Sequence, residues 1–126
     1  MRQSIIESGR AEFALKAVKA VKDMKNAKEY KSYARKFPSL ILTNGLAAAI
    51  AFAIDKGGAY TLLYNNISDW LKERSFFSEE TLEEGKLLKY VCSLNSDEYR
   101  VAMNEVLALF EWLRRFASGL IEGEAE

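Results

Sequence analysis

The sequence predicts an all-α fold, a compact bundle of about six helices in a single domain over residues 1–126. Three observations carry this reading. One proline and seven glycines in 126 residues leave few helix breakers. Apolar residues recur three and four positions apart through most of the chain, and no segment alternates like a strand. A chain of this length forms one domain and buries roughly two thirds of the surface it exposes when unfolded.

The first helix is expected over residues 4–25. At about 100° per residue, Ile6, Phe13, Ala14, Ala17, Val18, Ala20, Val21 and Met24 gather on one side. Glu12, Lys16, Lys19, Lys22 and Asp23 gather on the other. Arg10 breaks the pattern by entering the apolar arc beside Ile6 and Phe13. A guanidinium there needs a carboxylate or an anionic ligand, and a structural ion pair is the expected answer. The second helix, residues 27–36, splits into a basic stripe of Lys28, Lys31 and Arg35 and an apolar stripe of Tyr30, Tyr33, Ala34 and Phe37. The tyrosines are therefore expected in the core, which leaves the basic stripe without a stacking platform.

Pro38 is expected to end that helix and open a third over residues 38–55, because proline suits a first turn. The third helix is apolar almost all round and rich in alanine, so it should be surrounded by others. The dipeptide Asn44-Gly45 offers a tight turn instead, but the alanine-rich context favours helix. After Gly57-Gly58, the spacing of Tyr60, Leu63, Ile67, Trp70 and Leu71 predicts a fourth helix. Ser78 is a suitable N-cap for a fifth, with Glu79 and Glu80 in its first turn and Leu87, Leu88, Val91 and Leu94 on its apolar side. Asn95 or Ser96 should cap the sixth, whose periodicity runs from Tyr99 to Leu120. Residues 120–126 are expected to form a flexible acidic tail.

Composition narrows the chemistry. There is no histidine, so the commonest general base and the commonest metal ligand are both missing. The single Cys92 makes neither an internal disulfide nor, without histidine, a zinc site or a Cys/His pair. No glycine-rich phosphate loop is present. The reading is a non-enzymatic protein with no catalytic residue, no cofactor and no metal. The longest apolar run, residues 40–54, falls short of the roughly 20 residues of a membrane span. With no signal peptide read ahead of the first charged residues, the expected location is cytoplasmic, away from membranes. Net charge is zero but uneven. Residues 1–38 carry ten Lys/Arg against four Asp/Glu, and residues 39–126 carry eight against fourteen. A basic segment of this kind points to an anionic partner.

Several strings resemble a known family. They are Tyr30-x-x-Tyr33, Phe37-Pro38 and Ile41-Leu42-Thr43-Asn44-Gly45-Leu46 leading to Phe52 and Lys56. Trp70-Leu71, Ser96-Asp97-Glu98-Tyr99-Arg100, Glu105 and Trp112-Leu113-Arg114-Arg115-Phe116-Ala117 continue the match. In order and spacing they resemble the small-subunit family of the Cmr (type III-B) CRISPR effector over most of residues 10–117. The resemblance implies a non-catalytic subunit of an RNA-targeting ribonucleoprotein in antiviral defence. It also implies copies stacked head to tail beside the backbone subunit and lining the guide and target RNA path. Candidate RNA-binding residues are then Lys16, Lys19, Lys22, Lys28, Lys31, Arg35 and Lys36, with Arg114 and Arg115 secondary. The family pattern adds Arg10, Asn44 and Lys56, although Asn44 also suits a polar residue bonded within the core. Two other classes stay open: a helical RNA-associated domain of toxin–antitoxin type, and a protein-interaction bundle.

Overall fold

Backbone hydrogen bonding follows the apolar periodicity into α1 (Ile5–Val21), α2 (Ala27–Asn44), α3 (Leu46–Lys56), α4 (Ala59–Glu73), α5 (Lys86–Cys92) and α6 (Ser96–Leu120). The computed structural model describes residues 5–76 and 85–123, and among these there is no strand. The expected cap Ser78, with Glu79 and Glu80, lies outside the described residues. Asn95 caps α6 as expected. Its side-chain oxygen accepts from the Glu98 N–H at 2.9 Å, and its own N–H donates to Glu98 Oε1 at 3.1 Å.

The 25-residue α6 is the element against which α1 and α2 pack most extensively. Its buried stripe, including Ala102, Val106, Leu109, Phe110, Leu113 and Ala117, meets Ala14 and Val18 of α1 and Phe37 of α2 in one core. Phe37 and Phe110 stack with centroids 5.2 Å apart. α4 packs on α2 and α3, adding Leu63, Ile67 and Leu71, and α5 rests on α3 through Leu87 and Val91.

Three expectations are corrected. α2 does not stop at Pro38 but runs through it to Asn44. A proline inside a helix forfeits a hydrogen bond and crowds the preceding turn, at about 3 kcal/mol. Here Phe37 and Ile41 on either side are both fully buried, and that packing carries the helix onward. The break falls at Gly45, with φ 92° and ψ 161°, a region essentially restricted to glycine. The Tyr99 hydroxyl from α6 then accepts the Ala47 N–H at 3.0 Å and satisfies the start of α3, where Gly45 offers no side chain. Second, α3 is not surrounded: Leu46, Ala49, Ile50 and Ala53 are buried, while Ala48 and Ala51 are exposed. Alanine is the best helix former and loses little by facing water, so an alanine-rich helix looks more buried than it is. Third, α1 ends at Val21, where a turn bonded from Met24 N–H to the Val21 carbonyl takes over. Met24 leaves the helical register and is 45% exposed, and Ala20 is exposed as well.

Among the described residues, one charged group is buried in this packing. Glu105 of α6 is 5% exposed, and its carboxylate joins three helices and the turn after α4. Arg10 of α1 donates from Nε to Oε2 at 2.8 Å and from Nη2 to Oε1 at 3.0 Å. Trp70 of α4 donates its indole N–H to Oε2 at 2.7 Å, and Arg74 reaches Oε1 at 3.4 Å. The partner expected for Arg10 is thus a structural carboxylate. Burial alone pushes the Glu105 carboxyl up. The hydrogen bonds from Arg10 and Trp70, with the charges of Arg10 and Arg74, outweigh burial and hold it below its ordinary value of 4.5.

The glycine break and the buried carboxylate each yield a stability test. Gly45→Ala forces a Cβ into the glycine-only region, 3.1 Å from the Tyr99 hydroxyl. It should cost about 1–3 kcal/mol in urea unfolding. Gly119→Ala in the open last turn of α6 should instead be neutral or stabilise by up to about 1 kcal/mol. Glu105→Gln leaves two arginines facing an uncharged amide and should cost about 3 kcal/mol near neutral pH. A depressed carboxylate contributes its stability above its unfolded pKa and loses it as pH falls through the folded one. Urea midpoints should therefore show the gap between wild type and Glu105→Gln closing as pH drops below 4.5.

Candidate nucleic-acid interface

The basic residues of the first two helices divide by what the fold does with them. Lys16 and Lys19 are exposed, on the side of α1 away from Ala14, Val18 and Val21, whereas Lys22, expected on the same helical stripe, is exposed in the turn that follows Val21 because α1 ends there. Lys28, Arg35 and Lys36 are exposed on α2. Where α1 turns into α2, Lys22, Lys25 and Lys28 line a cleft of about 480 Å³ together with Asp23, Glu29 and Glu122. The two stripes thus meet at the α1–α2 turn. Lys31 is used differently. Its ammonium donates to the Ile121 and Gly123 carbonyls, each at 2.9 Å, and pins the end of α6. Ile121 is buried beneath it, and residues 124–126 of the expected tail lie outside the described residues.

The remaining candidates separate in the same way. Arg114 and Arg115 both reach Glu111, at 3.0 and 3.3 Å, and Arg115 lies over the Trp112 ring. Exposed pairs of this kind contribute little to stability and leave two positive groups at the surface. Arg10 is held by Glu105, and that hydrogen bond raises its already high pKa. Asn44 is exposed rather than bonded within the core, its amide making only a 3.4 Å contact with the Leu40 carbonyl.

One constellation is not visible from the sequence. Tyr30 is core, as expected, fully buried with its hydroxyl donating to Asn66 at 2.7 Å. Tyr33, expected beside it, is only half-buried and stacks on Tyr60 of α4 with centroids 4.0 Å apart and planes within 6°. Phe52 of α3 meets Tyr60 edge-on at 5.2 Å, and Lys56 places its ammonium 5.5 Å from the Phe52 centroid. Burial, with Tyr33 alongside, raises the Tyr60 hydroxyl above its ordinary range and keeps it neutral. Between α2 and this cluster lies a groove of about 360 Å³, with Lys36, Thr43, Asn44, Phe52 and Tyr60 among its walls. Lys36, Asn44 and Lys56, separate in sequence, therefore border one aromatic surface. The sequence does carry one usable signal for it: Phe52 and Lys56 sit four apart, the spacing that puts a cation over a ring on a helix. Among the described residues there is no cluster of potential metal ligands, and no helix is long and apolar enough to cross a membrane.

Residues 6–120 match the family of CRISPR-associated Cmr5 proteins. The chain belongs to the Cmr5 family. A curated relative, the CRISPR system Cmr subunit Cmr5 of Thermus thermophilus, is 36% identical over 91 residues, covering 71% of this chain and 72% of the relative. The crystal structure of a CRISPR-associated Cmr5 family protein from the same organism superposes with a TM-score of 0.81 at 28% identity. It covers 94% of this chain and 100% of that one. The six-helix bundle is therefore a Cmr5 fold, and the family resemblance of the helix strings holds.

Within that fold Lys31 should behave as a structural residue. Lys31→Met removes two charge-assisted bonds at the end of α6 and should cost about 1.5–3 kcal/mol, with faster amide exchange in the last turn. Lys19→Met, on the exposed stripe, should stay within about 0.5 kcal/mol of wild type.

Proposed function

We propose that this chain is the non-catalytic small subunit of a type III-B Cmr RNA-targeting complex. In this reading copies stack head to tail beside the backbone subunit, and the basic faces of α1 and α2 border the guide and target RNA in antiviral defence. Family membership supports the assembly. The observation that supports the RNA-facing role is the run of exposed lysines, Lys16 and Lys19 on the far side of α1 from the core and Lys22 in the turn after it. Sequence is read by guide–target base pairing in such complexes, so a bordering subunit needs phosphate contacts rather than base-specific ones. A lysine stripe supplies them. The absence of histidine, the commonest general base, agrees with cleavage being the task of another subunit.

A tagged chain expressed in its host should co-purify with further effector subunits and CRISPR-derived guide RNA at moderate salt. Recovery alone, or with one unrelated partner and no guide RNA, would overturn the assignment. Charge reversal of Lys16, Lys19 and Lys22 together should leave the complex assembled and weaken target RNA binding. The slope of log affinity against log salt should fall by roughly 0.7–1 for each phosphate no longer neutralised. An unchanged slope would remove the α1 stripe from the RNA path.

A further inference from the structure

We propose that the groove between α2 and α3 seats one unpaired nucleobase of bound RNA, with Phe52 and Tyr60 as its stacking wall and Lys36 and Lys56 at the flanking phosphates. This rests on the RNA-bordering role above and adds a base contact that phosphate attraction does not supply. Size is the first ground. At about 360 Å³ the groove is at the small end of the roughly 300–1,000 Å³ of small-molecule sites, suited to a single nucleoside rather than a peptide helix.

The lining is the second ground. Base stacking needs rings that are braced yet reachable. Tyr60 is braced by the stacked Tyr33 behind it and by the edge of Phe52, and all three rings are half-buried rather than sealed in the core. Every base has a π-face, so such a wall accepts RNA without regard to sequence. Along α2 the exposed side chains of Ser39, Thr43 and Asn44 offer hydroxyls and an amide to a base edge, and the Asn44 amide is committed only to its 3.4 Å contact.

Charge is the third ground, and it favours an anionic ligand such as RNA over an apolar protein side chain. Lys36 lines the groove and Lys56 stands over Phe52, both exposed. An exposed cation–π contact is weak, so Lys56 can leave the ring face for a phosphate as a base arrives. A groove of similar volume, about 370 Å³, lies against α5 and α6 and is also aromatic, lined by Phe76, Tyr90, Leu94 and Val101. It carries Asp97 and Glu98 instead, and those repel phosphate.

The test uses the full chain with two fluorescent single-stranded probes of about eight nucleotides, an oligouridylate and an abasic oligomer of equal length and charge. The oligouridylate should bind at least about five-fold tighter. Phe52→Leu, its fold checked by thermal melting, should abolish that preference while leaving abasic binding unchanged, and Lys36→Glu should weaken both probes. Uridine monophosphate, titrated into the unsubstituted protein, should shift the NMR signals of Ser39, Thr43, Asn44 and Phe52. Equal binding of the two probes overturns the base seat and leaves the phosphate-bordering role standing. Failure of both probes to bind overturns the seat together with that role. Should Phe52→Leu keep the base preference but lose co-purifying effector subunits, the groove is a protein contact and the proposal falls.

Discussion

A single buried carboxylate fixes how the helices of this protein face one another. Glu105 stands on the apolar stripe of α6, where an unpaired charge would be far too costly to keep. It is tolerated because Arg10, Trp70 and Arg74 donate to both of its oxygens from α1, α4 and the turn after α4. Each donor comes from a segment at least 31 residues away, so the cluster forms only when the helices are docked in one arrangement. Apolar packing is tolerant of sliding and rotation, whereas a bidentate guanidinium is not. The cluster thus sets the rotation of α1. Taking about 100° per residue, Lys16 and Lys19 fall on the opposite half of α1 from Arg10. The ion pair that holds α1 against α6 also turns its lysines outward.

How much of this is legible in the sequence depends on the range of the interaction concerned. The all-α class and the number of helices follow from periodicity, a property of neighbours three and four apart. The capping box at Asn95 is equally local. Pro38 and Gly45 are misread when weighed by local preference alone. Proline's local cost is outvoted by the burial of Phe37 and Ile41, and the break moves to the glycine whose backbone no other residue adopts comfortably. The group that completes that break, the Tyr99 hydroxyl, lies 52 residues from Ala47 and leaves no mark nearby in the sequence. Alanine misleads in the other direction, since its helix-forming tendency says nothing about which side of α3 faces water.

The surface divides along the same line. That Lys16 and Lys19 face water follows from their phase relative to Ala14 and Val21, a local fact. That Lys31 is taken up by the end of α6 does not, because its acceptors are 90 and 92 residues away. Arg10 is legible as a residue needing a partner, and Glu105 is not legible as that partner. The aromatic groove is the hardest to see. It draws Lys36 from α2, Phe52 and Lys56 from α3 and Tyr60 from α4, and only docking brings them to one wall.

The charge distribution takes on meaning in this arrangement. A protein bordering RNA gains from positive charge, but identical copies that must also touch one another are repelled by it. This chain is neutral overall, with excess lysine and arginine in residues 1–38 and excess carboxylate in the rest. The basic excess is displayed on α1 and α2, while Asp97 and Glu98 rim an apolar groove at the start of α6 that includes the 57% exposed Val101. Unlike surfaces on one molecule suit a head-to-tail contact, in which the face presented by one copy differs from the face it meets on the next. A uniformly basic subunit would bind phosphate more strongly and stack less well. In the proposed head-to-tail stack, separating the two charges on one small bundle would let the copies present lysines to RNA without repelling one another.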